Sequence, residues 1–96
     1  MKIRNFAHKG LKVLYTEDSA KGVPADIADK LRKILAYLDN MEDAEELRAL
    51  SSWKVHMLTG DRAGTWSLSV TRNRRLTFRI DTIEHEIRDV NLEDYH

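Results

Sequence analysis

The amino-acid sequence predicts an α+β domain, with two to three N-terminal helices packed on one face of a small, mainly antiparallel sheet. Three observations lead there. Apolar residues recur at helical spacings of three and four up to Leu50, and from Trp53 onward the period changes to two. The order of elements, one strand, then helices, then consecutive strands, gathers the helices against one side of the sheet. At 96 residues the chain can bury one hydrophobic core and not two, so residues 1–96 are expected to form a single domain.

Lys2-Ile3-Arg4-Asn5-Phe6 alternates polar and apolar residues and predicts an edge strand. A helix follows from near His8, carried by Leu11, Leu14 and Tyr15, and it fades at Glu17-Asp18-Ser19 and the Lys21-Gly22 turn. The next helix has the clearest pattern. Pro24 suits a first helical turn, Asp26 and Asp29 favour the positive end of the helix, and Ile27, Leu31, Ile34, Leu35 and Leu38 form one apolar stripe. Asp43 to Leu50 predicts a shorter acidic helix with Leu47 and Leu50 as its apolar contacts.

In the second half, Trp53, Val55 and Met57 alternate with Lys54, His56 and Leu58, which predicts a strand. Gly60 and Gly64 bracket a loop containing Asp61 and Arg62. Trp66, Leu68 and Val70 alternate with Thr65, Ser67 and Ser69, and Leu76, Phe78 and Ile80 alternate with Arg75, Thr77 and Arg79. The tight connection Thr71-Arg72-Asn73-Arg74 joins these two strands as a hairpin. A last strand is expected over about His85 to Asn91, where Ile87 and Val90 fall out of phase, the mark of a bulge. Trp53 and Trp66 are expected in the core, and His8 and His85 in structural roles.

Composition narrows the function. With 42% hydrophobic and 33% charged residues the chain has a folding composition. The lack of cysteine rules out disulfides, a thiolate nucleophile and a Cys-based zinc site, and it fits a reducing compartment such as the cytoplasm. No run approaches the roughly 20 apolar residues that span a bilayer, so no membrane role is expected. Net charge is zero, but it is segregated. Residues 48–79 hold seven basic side chains against Asp61 alone, whereas residues 80–96 hold six acids against Arg88 alone. Such a basic third can form an anion-binding surface inside a neutral protein.

Strand parity then collects the chemistry. If the apolar residues of the hairpin meet the helices, His56, Ser67, Ser69, Arg75, Thr77 and Arg79 share the opposite face. There is no HExxH, Gly-rich phosphate loop, GxSxG or EF-hand loop. Histidine and arginine with a terminal Asp94-Tyr95-His96 suit RNA cleavage, which needs a base for the 2′-hydroxyl, cations for the phosphorane and an acid for the departing 5′-oxygen. Each residue also has a plainer reading. His56 alone is an ordinary surface residue, Arg75 or Arg79 can serve as a cross-strand partner for Glu84 or Glu86, and chain ends usually fray.

Five stretches in order strengthen the catalytic reading: Ile3-Arg4-Asn5-Phe6 with Gly10-Leu11, Trp53 to Asp61, Arg62 to Ser67, Asn73 to Phe78, and Asp94-Tyr95-His96. Over nearly the whole chain they resemble the HigB-type toxins of type II toxin–antitoxin pairs, within the RelE superfamily. The resemblance implies a RelE-like fold with a curved sheet and metal-independent cleavage of messenger RNA in the A site of a translating ribosome, with no cofactor. It implies His56, Arg75, Asp94, Tyr95 and His96 as the catalytic set, beside Lys54, Arg62, Arg72, Arg74 and Arg79 as RNA- or ribosome-binding cations. It also implies a HigA-type helix-turn-helix antitoxin as partner, through which alone operator DNA would be reached. Two positions depart from the family: many relatives have Lys where Thr59 stands and Trp where Arg74 stands. These departures leave an alternative open, a non-cutting homologue that serves as an antitoxin-binding co-repressor or RNA-binding module.

Overall fold

A computed structural model of the chain describes residues 1–94. Strand β1 (Lys2–Ile3) is followed by helix α1 (Lys9–Glu17). His8 is the N-cap, its Nδ1 accepting from the Leu11 N–H at 3.1 Å, so it has the structural role its sequence context implies. A 3₁₀ turn at Ala25–Ile27 leads into α2 (Ala28–Asn40), and Ile27, Leu31, Ile34, Leu35 and Leu38 are all buried. The Met1 ammonium donates to the carbonyls of Leu38 (3.2 Å), Asp39 (2.8 Å) and Met41, where α2 leaves its last acceptors unsatisfied. No described helix is long and apolar enough to cross a membrane.

The acidic segment is a 3₁₀ helix, Ala44–Ala49, rather than an α-helix. Asp43 and Glu46 close a capping box at its start, and Leu47 is its one buried residue, too little apolar surface to reward a longer α-helical run. The strand expected from Trp53 is also shorter than the alternation implies. Trp53 ends a 3₁₀ turn, Ser51–Trp53, with its ring edge-on to Tyr37 at 5.7 Å, and Lys54 adopts a left-handed φ of 49°. Only then does β2 (His56–Met57) begin. Trp53 and Val55 pack against the core from a loop, which mimics the alternation of a strand.

Strands β3 (Thr65–Thr71), β4 (Arg74–Asp81) and β5 (Glu86–Asp94) complete a sheet of order β1-β5-β4-β3-β2. All pairings are antiparallel except that of edge strand β1 with β5. Trp66 opposes Phe78, Leu68, Leu76 and Leu92 form one row, and Ile80 opposes Ile87, all directed at the helices. Here β5 runs to Asp94, beyond the Asn91 expected from sequence.

That extension depends on the bulge. Thr77 pairs with Asn91 and Arg79 with Arg88, so Phe78 faces both Asp89 and Val90. Asp89 has φ 56°, a left-handed conformation that few non-glycine residues adopt. Asn5 holds it there, accepting from the Asp89 N–H at 3.1 Å and donating its amide to Asp89 Oδ1 at 2.9 Å. Ile87 and Val90 are thereby both fully buried. We expect Asn5→Ala to destabilise the fold by about 1 kcal/mol in urea unfolding, the order of a lost side-chain hydrogen-bonding partner.

Helix α1 touches the loop before α2 through two glycines. A Cβ on Gly10 would lie 2.0 Å from the Gly22 carbonyl oxygen. Gly→Ala inside a helix normally stabilises by about 0.5–1 kcal/mol. Here the sign should reverse: Gly10→Ala is expected to destabilise by about 2 kcal/mol, as overpacking does, measured by thermal or urea unfolding.

Candidate active site

The polar face of the sheet is laid out in rows by strand register. His56, Ser67, Thr77 and Asn91 form one row, Ser69, Arg75 and Glu93 a second, and Thr65, Arg79 and Arg88 a third. The face predicted by parity therefore exists, with every expected member on it. Ser67 and Thr77 are nearly inaccessible on this face, and Thr77 Oγ1 donates to the Glu93 carboxylate.

The site opens at one end of this face. Because β2 has two residues, β3 has no strand neighbour on that side past Ser67, and the chain before β2 turns away at Lys54. The place a longer strand would occupy is a groove of about 590 Å³, lined by Lys30, Lys54, His56, Ser69, Val70, Thr71, Arg72, Arg74 and Arg75. Five of these are cationic and none is a carboxylate. His56 is exposed, and its Nδ1 lies 3.1 Å from the Lys54 carbonyl oxygen. A carbonyl can only accept, so this contact places the proton on Nδ1, and in the neutral ring Nε2 is left as a proton acceptor facing outward from that anchor.

The candidate residues divide into two groups. His56, Arg75, Lys54, Arg72 and Arg74 converge on the groove. Asp94 is exposed and pairs with Arg74 at 3.3 Å rather than with an imidazole among the described residues. Arg62 and Arg79 do not line the groove. Arg62 is clamped to Glu93 through Nη1 (2.9 Å) and Nη2 (2.6 Å), and Arg79 donates to Thr65 Oγ1 at 3.2 Å. Tyr95 and His96 lie outside the described residues. Glu86 takes Arg4 and Arg88, each at 3.6 Å, in place of the cross-strand partners Arg75 or Arg79.

Two departures from the family pattern gain a location. Thr59 is exposed before the Gly60–Arg62 turn and makes no capping hydrogen bond. Strict alternation would put Arg74 on the helix side, away from Arg75. The structure keeps that alternation: Arg74, Arg75 and Leu76 pair with Asp94, Glu93 and Leu92 in unbroken register, so Arg74 lies on the side of Leu76, where it shares a hollow with Asp26 and Asp94 and also reaches the end of the groove.

Glu93 and Lys30 were not singled out by the sequence. Glu93 is half-buried at the centre of the polar face, accepting from Arg62 and from Thr77 Oγ1. These bonds, Arg62 first, hold its carboxyl below the ordinary carboxylate range, with the charges of Arg62 and Arg75 adding to the effect against the opposing cost of burial. The alternation of β5 could have flagged Glu93 once the bulge shifted its phase. Lys30 belongs to a helix, and no local pattern connects it to the sheet.

Solved structures share this architecture along almost their whole length. The YoeB/ParE toxin from Agrobacterium tumefaciens superposes with a TM-score of 0.59 at 17% identity, covering 100% of this chain and 99% of that one. YafQ from E. coli strain BL21(DE3) gives 0.57 at 13% identity, covering 98% and 93%. These likenesses define the class by fold, a compact α+β domain with helices packed on a mainly antiparallel sheet. Residues 4–96 match the HigB-like toxin family, RelE-like toxins of the type II toxin–antitoxin system HigB. The endoribonuclease HigB of Proteus vulgaris is 39% identical over 94 residues, 98% of this chain and 99% of that protein. The chain belongs to the HigB-like toxin family, and a toxin of a type II system has an antitoxin as its partner.

The Arg62–Glu93 clamp generates a pH prediction. A carboxylate with a depressed folded-state pKa contributes stability that is present above its unfolded pKa and lost as pH falls through the folded one. Glu93→Gln should therefore be less stable than the parent at pH 7, by about 1 kcal/mol for a partly exposed pair. The difference should close as the pH is lowered below about 4, where the parent carboxylate also protonates. Urea denaturation of both proteins across this range checks it.

Proposed function

We propose that this chain is a ribosome-dependent messenger-RNA endoribonuclease, cutting translated message in the A site of the small ribosomal subunit and so inhibiting growth. Family membership and the 39% identity to a HigB endoribonuclease support the enzyme class. The observation that carries the chemistry is His56, fixed by the Lys54 carbonyl with Nε2 open, on the rim of a groove whose charged lining is entirely cationic.

In this reading His56 is the base. The 2′-hydroxyl gives its proton to Nε2 and its oxygen attacks the adjacent phosphorus. The bond to the 5′-oxygen then breaks, and that oxygen takes a proton from the acid, assigned to His96. The products are a 2′,3′-cyclic phosphate and a free 5′-hydroxyl. Arg75, one row from His56, offsets the charge that grows on the phosphorane oxygens. Asp94, through its pair with Arg74, fixes the end of β5 and orients the site, and Tyr95 stacks on a base or relays a proton. Lys54, Arg72 and Arg74 dock the RNA backbone; Arg62 and Arg79 support the face on which it lies. A domain this small gains by letting the ribosome align nucleophile and phosphate, since preorganised alignment can lower a barrier by several kcal/mol. The chain would act in the cytoplasm, with a HigA-type antitoxin as its partner and operator DNA reached only through that antitoxin.

Because Arg74 lines the groove, its presence adds a cation to the site and so weakens the case for a non-cutting homologue. We expect His56→Ala and Arg75→Ala each to lower cleavage of message on programmed ribosomes by about 10² or more while leaving urea-unfolding midpoints near those of the parent. Full activity in both variants would overturn the assignment. Mapping of RNA 5′ ends after induction should show codon-registered cuts that vanish with His56→Ala.

A further inference from the structure

We infer that Lys30, on the first turn of α2, is an RNA-binding residue that forms with Lys54 and Arg72 a phosphate subsite on the helix side of the groove. The inference rests on the proposed RNA substrate and extends its track beyond the sheet face. The groove has walls from two layers: Lys54, His56 and the hairpin supply one, and Lys30 supplies the other. That continuity comes from the Val70 bulge and the shortness of β2, which open the end of β3 toward α2.

Partnering within α2 separates Lys30 from its neighbour. Arg32 is held by Asp18 and Asp29, each at 2.9 Å, and residues two apart on a helix do not share a face. Lys30, Lys54 and Arg72 form no ion pair among the described residues. Asp26 lies in the adjoining hollow with Asp94 and does not line the groove. Three cations without carboxylate ion pairs, around a groove of about 590 Å³, invite a polyanion. Continuity with His56 and Arg75 selects RNA over an acidic peptide, because a strand whose scissile phosphate lies at those residues must continue past them.

The test measures binding of the full chain to 70S ribosomes programmed with message, across a salt series. Lys30→Ala should weaken binding several-fold at low salt and make the plot of log affinity against log salt shallower by about 0.7–0.9, the release of one phosphate contact. Lys30→Arg should restore both, and Lys33→Ala, a neighbouring exposed helix lysine outside the groove, should change neither. In cleavage assays the half-saturating concentration should rise for Lys30→Ala with kcat within about twofold, as lost uniform binding requires. A message truncated beside the A-site codon identifies the source of the phosphate: the penalty disappears if the message supplies it and persists if ribosomal RNA does. Unchanged affinity and salt slope in Lys30→Ala, or a loss confined to antitoxin binding, would overturn the subsite. If the parent binds with the expected slope yet never cuts, the nuclease reading fails while the Lys30 contact stands.

Discussion

The polar face depends on one backbone residue held in a left-handed conformation. Before Asp89, β5 directs Ile87 to the helices; without an inserted residue, strict alternation would then send residues 89, 91 and 93 inward as well. With Asp89 bulged, the core side is taken by Val90 and Leu92, while Asn91 and Glu93 emerge beside Thr77 and Arg75. A one-residue slip would bury Glu93 and expose Leu92. Asn5 matters for this reason more than for its own burial, since its two hydrogen bonds supply the local satisfaction that a glycine at position 89 would not need.

A second inserted residue, Val70, shapes the other end of the sheet. Together with the two-residue β2 it leaves a gap where a strand could have run, and the gap collects cations because carboxylates are engaged elsewhere. Glu93 takes Arg62, Asp81 and Glu86 take Arg88, and Asp18 and Asp29 take Arg32. A chain of zero net charge thus presents a cleft of one sign, without any local sequence being extreme. Fields in such a concave site extend further than those of scattered surface charges, and they fall with salt.

Much of this was legible in the sequence because the relevant physics is periodic. The stripe from Ile27 to Leu38, the hairpin, the shared face of His56, Arg75 and Thr77, and the bulge between Ile87 and Val90 all follow from alternation and its interruption. What alternation does not reveal is where an extra residue interrupts a strand when that residue is itself apolar, as at Val70. Nor does it distinguish a strand from a loop whose apolar residues reach the same core, the situation of Trp53 and Val55. Lys30 and the Arg62–Glu93 clamp join residues distant in sequence, and their contacts are set by tertiary packing. The terminal Tyr95 and His96 lie outside the described residues, so their part in the site stands on resemblance.

A carboxylate among the arginines of the polar face needs a reason, and the geometry offers one. His56 sits on a strand of two residues, too short to be held firmly by its own ladder. One flank is tied by the Leu58 N–H to the Thr65 carbonyl at 2.9 Å, and the loop beyond is drawn onto the sheet where Glu93 grips both Nη atoms of Arg62. Glu93 also feels the positive charge of Arg75 in the neighbouring strand, so one carboxylate answers cations on both the loop and β4. Its charge is spent within the face rather than projected into the groove, whose charged lining remains entirely cationic. The clamp therefore ties the loop after His56 to the sheet while adding no negative charge to the groove on which the proposed phosphate binding depends, a division of labour that an apolar residue at position 93 could not provide.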